Sequence, residues 1–144
     1  MPASAMTRSN MQEILLDTVP ETAEPLRLLA EEDADGEVLL FPLLRDGFAN
    51  PLVMPALRRP SAHEDLLRRC FAFVDLGLRS TDTTLNDAFW FQVLELLLDD
   101  LDVLDAAYPF MTDETRDYVL EKLTDFGVPL TPHWSAWAGS SGSV

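Results

Sequence analysis

The sequence is poor in most of the residue types that build a reactive centre. Its 144 residues include one cysteine, Cys70, and two histidines, His63 and His133. A single thiol excludes an intramolecular disulfide and the multi-cysteine sites that hold zinc or iron–sulfur clusters. Positive charge is scarce too. Ten Lys and Arg stand against 25 Asp and Glu, for a formal net charge of −15. Phosphate recognition draws on clustered Lys and Arg, so direct binding to nucleic acid or to an anionic membrane is not expected. No glycine-rich phosphate loop, P-loop lysine or G-x-S-x-G turn occurs. The longest strongly apolar stretch, Ala88 to Leu98, is interrupted by Gln92 and Glu95 and is shorter than the ~20 residues of a membrane span. Met1 to Asn10 carries one Arg and no apolar run, unlike a secretory signal. These absences lead to the expectation of a cytoplasmic protein with no catalytic group, metal site or cofactor.

What is present is enough to fold. Hydrophobic residues make up 47% of the chain, too many for a disordered acidic tail. The length suits one domain, expected over residues 1–138, with the Gly/Ser-rich segment 139–144 as a flexible tail. The apolar spacing predicts an all-α bundle of about five to seven helices. A first helix is expected from about Asn10 to Thr18, opened by Ser9 and Gln12 at capping-box spacing and stopped by Pro20. A second is expected after Thr22 as its cap. From Val38 to Pro60 four prolines allow short helices at most, near Pro42–Ala49 and Leu52–Arg58.

The second half is more regular. Ser61 and Glu64 form another capping-box pattern before a helix reaching about Arg79. In that helix Leu67, Cys70, Phe71, Val74 and Leu78 mark a core face. Glu64–Arg68, Asp65–Arg69 and Asp75–Arg79 are acid-first i, i+4 pairs. The stretch near 83–98 is apolar almost all round and predicts a central helix. Another is expected from Asp99 to Tyr108, and a last one from the cap Thr112 to Gly127, with Val119, Leu123 and Phe126 turned inward.

Individual motifs dissolve on inspection. Glu31, Asp33, Asp35 and Gly36 fit the start of an EF-hand loop, but its twelfth position is Pro42 rather than Glu, so a solvated helix-ending turn is expected instead. His63-Glu64 opens like H-E-x-x-H, yet the second histidine position is Leu67. Cys70 lies among apolar residues, where a thiol is inert.

The acidic residues are unevenly distributed. Residues 1–40 carry −7, residues 41–79 carry +2, and residues 80–126 carry −10. Asp99, Asp100, Asp102, Asp105, Asp113, Glu114 and Asp117 therefore predict a negative helical face, suited to a basic protein partner whose encounter it would accelerate. Trp134 and Trp137, after Pro132, show no helical periodicity. They are expected either to cover the core or to act as contact residues in the same interface.

Several strings also resemble a loosely defined group of small bacterial helical domains found beside polymorphic toxins as candidate immunity proteins. They are Val19-Pro20-Glu21, Asp35 to Leu39 before Phe41-Pro42, Leu66 to Phe73 before Asn86, Leu94-Glu95-Leu96 and Met111 to Arg116. The resemblance implies an all-α fold and toxin association, and it brings no catalytic residue with it. Together with the charge, it leads to the expectation of a non-enzymatic immunity or antitoxin-type protein that neutralises a basic toxin or effector, with nucleases among the candidates. The alternative expectation is a general interaction or scaffold module, as a homodimer joined by apolar helix faces.

Overall fold

A computed structural model gives the backbone of residues 6–32 and 39–141, with side chains as far as Gly139. Among these residues there are eight helices and no strand, one helix more than the upper bound of the sequence expectation. Of the acidic turn with EF-hand-like spacing, Glu31 belongs to the end of a helix (Ala23–Glu32), and Asp33, Asp35 and Gly36 lie outside the described residues.

Helix α1 (Met11–Thr18) buries Met11 and Leu15. Ser9 does not cap it. The backbone N–H of Thr7 donates instead to Asn10 Oδ1 at 2.7 Å, closing a turn before the helix. After Val19 a short 3₁₀ turn, Pro20–Thr22, leads into α2 (Ala23–Glu32). The Thr22 hydroxyl donates back to Val19 O at 2.7 Å and caps nothing. Arg69 fastens this corner to the core, donating to Thr18 O at 3.3 Å and to both oxygens of Glu21 at 2.7 and 2.8 Å. An Arg on the last carbonyls of a helix satisfies groups that the helix itself leaves unpaired.

Residues 40–57 form one continuous helix, α3, where two short ones were expected. It begins as α-helix (Leu40–Leu44), widens to π-helix (Arg45–Val53) and returns to α (Met54–Leu57). Pro51 lies inside the wide stretch. Proline has no N–H to donate, and its ring clashes with the carbonyl one turn back. The i→i+5 turn gives that ring room and keeps the rod unbroken. Gly47 lets α2 approach closely, since a Cβ there would lie 2.6 Å from Leu26 Cδ2.

The longest α-helix is α4 (Glu64–Leu78), which buries Leu67, Cys70, Phe71, Phe73, Val74, Asp75 and Gly77. Its capping box does not form: Ser61 belongs to a 3₁₀ turn begun by Pro60, and His63 occupies the cap without a side-chain bond. Asp65–Arg69 and Asp75–Arg79 pair as expected, at 2.9 and 2.8 Å. Arg68 does not pair with Glu64; it lies 5.8 Å from the centre of the Phe110 ring.

Residues 83–99 form α5, which is α-helical over Thr83–Phe89, π over Trp90–Leu94 and 3₁₀ over Glu95–Asp99. Asp82 caps it, accepting from the N–H groups of Thr84 and Leu85. Leu85, Ala88, Phe89, Trp90, Val93, Leu94 and Leu97 are buried, so the helix is central, but Phe91 is turned out and 54% exposed. Rings run through the core from Phe48 to Phe73 to Phe89, with centroids 5.2 Å apart at each step.

Three shorter helices complete the bundle. Helix α6 (Leu101–Ala107) is capped by Asp100 and α7 (Asp113–Asp125) by Thr112. Asp75, almost fully buried, accepts from the hydroxyls of Thr112 at 2.6 Å and Thr115 at 3.0 Å, locking α4 to the start of α7. The end of α7 is a Schellman turn. Gly127 takes a φ of 65°, its N–H reaches Thr124 O at 3.2 Å, and Val128 N–H reaches Leu123 O at 2.9 Å. Val119 and Leu123 face inward as expected, but Phe126 is 56% exposed.

Helix α8 (Pro132–Ser141) replaces the irregular segment expected around the tryptophans, and it includes the first residues of the expected tail. Trp134 is fully buried, its indole N–H donating to Leu104 O at 3.1 Å.

Candidate functional site

The acidic residues singled out above fall into separate settings. Asp99 is exposed at the end of α5 and lines a shallow cleft with Glu95, Leu98 and Phe126. Asp100 and Asp102 border another depression, where Arg58 Nη1 lies 3.4 Å from Asp100. Asp113 and Glu114 open α7, where negative charge suits the helix dipole. They lie 3.5 Å from Arg116 and 3.2 Å from Arg79 respectively.

Asp105 and Asp117 serve the fold. Asp105 accepts from the His133 backbone N–H at 3.0 Å and lies 2.8 Å from Nδ1 of the same residue. Its carboxyl is held below the usual range: burial works the other way but is outweighed by the nearby Thr131 hydroxyl and by the hydrogen bonds from the backbone and ring of His133, with the latter's charge adding to them. Asp117 accepts from the Trp137 indole N–H at 3.1 Å. His133 and Trp137 are one turn apart on α8, so these two acids clamp that helix from α6 and α7. Tyr108 completes the clamp, stacked on His133 at 5.2 Å and lying under the Arg116 guanidinium at 4.1 Å. Trp134, offered from sequence as a contact residue, is corrected to a core anchor. Trp137 is half-buried against the same clamp.

Basic residues are largely neutralised within the molecule. Arg8, Arg27, Arg45, Arg58, Arg69, Arg79 and Arg116 all lie within 4.0 Å of a carboxylate oxygen. Asp87, Glu95, Asp99, Asp102, Glu121 and Asp125, by contrast, are exposed and in no ion pair among the described residues. These six lie on α5, α6 and α7, and four more exposed acids in no ion pair among the described residues, Glu13, Asp17, Glu32 and Glu64, lie on α1, α2 and α4, so the larger share of the unpaired negative charge falls on the α5–α7 surface.

The same region holds an aromatic group not singled out from the sequence. Trp90 is buried between α5 and α7, stacked on Phe126 at 5.8 Å and edge-on to Tyr118 at 6.2 Å. Lys122 Nζ lies 5.6 and 5.5 Å from the centres of the Trp90 and Tyr118 rings. Burial, then the negative fields of Asp87 and Glu121, push the Tyr118 phenol up. Spacing alone assigned Phe126 to the core. The signal that would have released it is Gly127, which ends the helix and swings the preceding side chain away.

Cys70 is buried, and burial pushes its thiol up to about 12. Among the described residues no three His, Cys, Asp or Glu side chains gather to hold a metal ion, and no helix is long and apolar enough to cross a membrane. The chain matches no protein-family model, no curated protein and no solved structure.

Proposed function

We propose that this chain is a non-enzymatic immunity or antitoxin-type protein that binds and blocks a basic effector, a nuclease being one such target. The observation that carries this reading is the imbalance left after internal pairing. Seven of the ten basic side chains are engaged by the molecule's own carboxylates, while six of the ten exposed acids that are in no ion pair among the described residues lie on α5, α6 and α7. A field of one sign concentrated on one region steers an oppositely charged protein and raises its association rate. Packed apolar contacts then set the residence time. An effector that holds nucleic acid presents the cationic cleft such a surface fits.

The test is genetic first. Basic proteins encoded beside this chain are expressed singly and together with it. Restored growth on co-expression is the expected result, and undiminished toxicity with every such neighbour refutes the reading. Kinetics follow. Reversing Asp99, Asp102, Asp113 and Glu114 to Lys should slow association with the neutralised effector at low salt much more than at high salt. A rate insensitive to both changes removes the electrostatic mechanism. A stable dimer in light scattering, with no basic protein bound, would favour a scaffold module instead.

A further inference from the structure

We infer that the partner docks in the cleft between α5 and the end of α7, by a basic segment that carries an apolar side chain. This rests on the immunity-type reading and locates its contact centre. Phe126 and Leu98 supply the apolar floor, and Glu95 and Asp99 stand on the cleft wall. The cleft is shallow and open, with about 320 Å³ of space for a side chain. Isolated exposed apolar residues are ordinary on protein surfaces. Here, however, an exposed ring lines a shallow cleft together with two carboxylates that are in no ion pair among the described residues.

The arrangement is also rigid. Phe126 is held on one side by the Schellman turn at Gly127 and on the other by stacking on the buried Trp90 ring. The indole N–H of Trp90 has no hydrogen-bond partner among the described residues. Aromatic anchors that are fixed before binding lose little side-chain entropy on contact, which is why such residues serve as hot spots. Charge selects the occupant: two carboxylates flanking an apolar floor match Lys or Arg on either side of an apolar residue and repel an acidic segment.

The probe is a fluorescein-labelled amphipathic helical peptide of Lys and Leu, compared with a Lys/Ser peptide and a Glu/Leu peptide by anisotropy. The expected result is saturable binding of the Lys/Leu peptide alone. Glu95→Lys combined with Asp99→Lys should weaken it at least about tenfold, as should Phe126→Ser. Asp113→Lys with Glu114→Lys should leave it within about twofold, since those acids already face Arg116 and Arg79. Circular dichroism confirms that each variant is folded. Should Phe126→Ser unfold, the surface double reversal carries the test. Equal binding of the Lys/Ser peptide, or loss confined to the Asp113/Glu114 reversal, overturns the cleft while leaving the acidic-surface reading intact. No binding of any peptide also overturns the cleft, and the co-expression experiment then judges the immunity reading independently.

Discussion

Replacing Gly77 with Ala sets two opposed effects against each other, and the structure decides the sign. Gly77 lies in the last turn of α4. In an exposed helix interior the substitution would stabilise by roughly 0.8–1.0 kcal/mol, and by less near a helix end. At this position a Cβ would lie 2.2–2.4 Å from three atoms of the Phe89 ring. Carbon atoms pack comfortably at about 3.5–4.0 Å, so the ring would have to retreat by more than 1 Å. That retreat is blocked. Phe89 is fully buried and tilted against Phe73, which meets Phe48 edge-on, so any displacement passes down the row. Overpacking typically costs about 1–3 kcal/mol. With the propensity gain subtracted, Gly77→Ala should destabilise by about 1–2 kcal/mol, lowering the melting temperature by about 2–8 °C.

Urea unfolding followed by circular dichroism measures this directly. Gly47→Ala is the matched control, because the atoms that its Cβ would meet first are the ends of the Leu26 and Leu29 side chains, which can swing aside. Its expected change is within about 0.5–1 kcal/mol of zero. Shrinking the obstructing ring with Phe89→Leu should make the Gly77→Ala step less costly, a coupling that a double-mutant cycle isolates. A Gly77→Ala protein at least as stable as wild type would refute the packing argument, as would equal losses at Gly47 and Gly77.

Trp134→Ala removes a fully buried ring and its bond to Leu104 O; a loss of about 3–5 kcal/mol is expected, and a loss below about 1 kcal/mol in urea would contradict the anchoring of α8. Glu21 is held at about 2, first by its hydrogen bonds from Arg69. A carboxyl lowered on folding contributes stability at pH values above its ordinary 4.5, and that contribution is lost as pH falls towards 2. Wild type should therefore exceed Glu21→Gln in stability at neutral pH by an amount that fades between pH 4.5 and 2; a constant difference across that range would exclude the linkage. The Cys70 thiol should fail to react with a thiol-specific dye until urea unfolds the chain, and rapid modification of the native protein would contradict its burial.

The elements legible in the sequence are those where one local pattern decides the outcome. Leu67, Cys70, Phe71 and Val74 follow a helical stripe, and all four are buried. Gly127 after Phe126 reads as a helix stop and adopts the left-handed φ that the stop requires. Elements decided by a neighbour were not legible. By sequence Pro51 divides 40–57 in two, but a wide turn accommodates it, and that turn is held by packing against the rest of the bundle. Trp134 and Trp137 stand only one helical turn apart, too short a stripe to announce a helix, and it is the Trp134 ring packed against α6 that seats α8. The Ser61–Glu64 spacing matched a capping box, yet Pro60 begins a turn earlier and carries Ser61 away from the cap. For the candidate surface, residues 80–126, which carry −10, hold six of the ten exposed acids in no ion pair among the described residues; Glu13, Asp17, Glu32 and Glu64 lie elsewhere. The charge count did not distinguish Asp105 and Asp117, used to hold α8, from Asp99 and Asp102, which remain unpaired.

That distinction bears on mechanism more than the total does. A carboxylate already beside an arginine presents a dipole to an approaching protein, and its field falls off quickly in salt. An unpaired carboxylate presents a full charge, felt over roughly a Debye length of about 8 Å under physiological conditions. Asp113 and Glu114 belong to the first kind, and Glu95, Asp99 and Asp102 to the second. Encounter should therefore be guided mainly by the end of α5 and the start of α6, where Phe126 and Leu98 also offer the nearest apolar contact. Steering charge and anchoring surface thus coincide at one place. In such an arrangement a diffusing partner is drawn to the site where it can be held, and only a short orientational search remains before the contact closes.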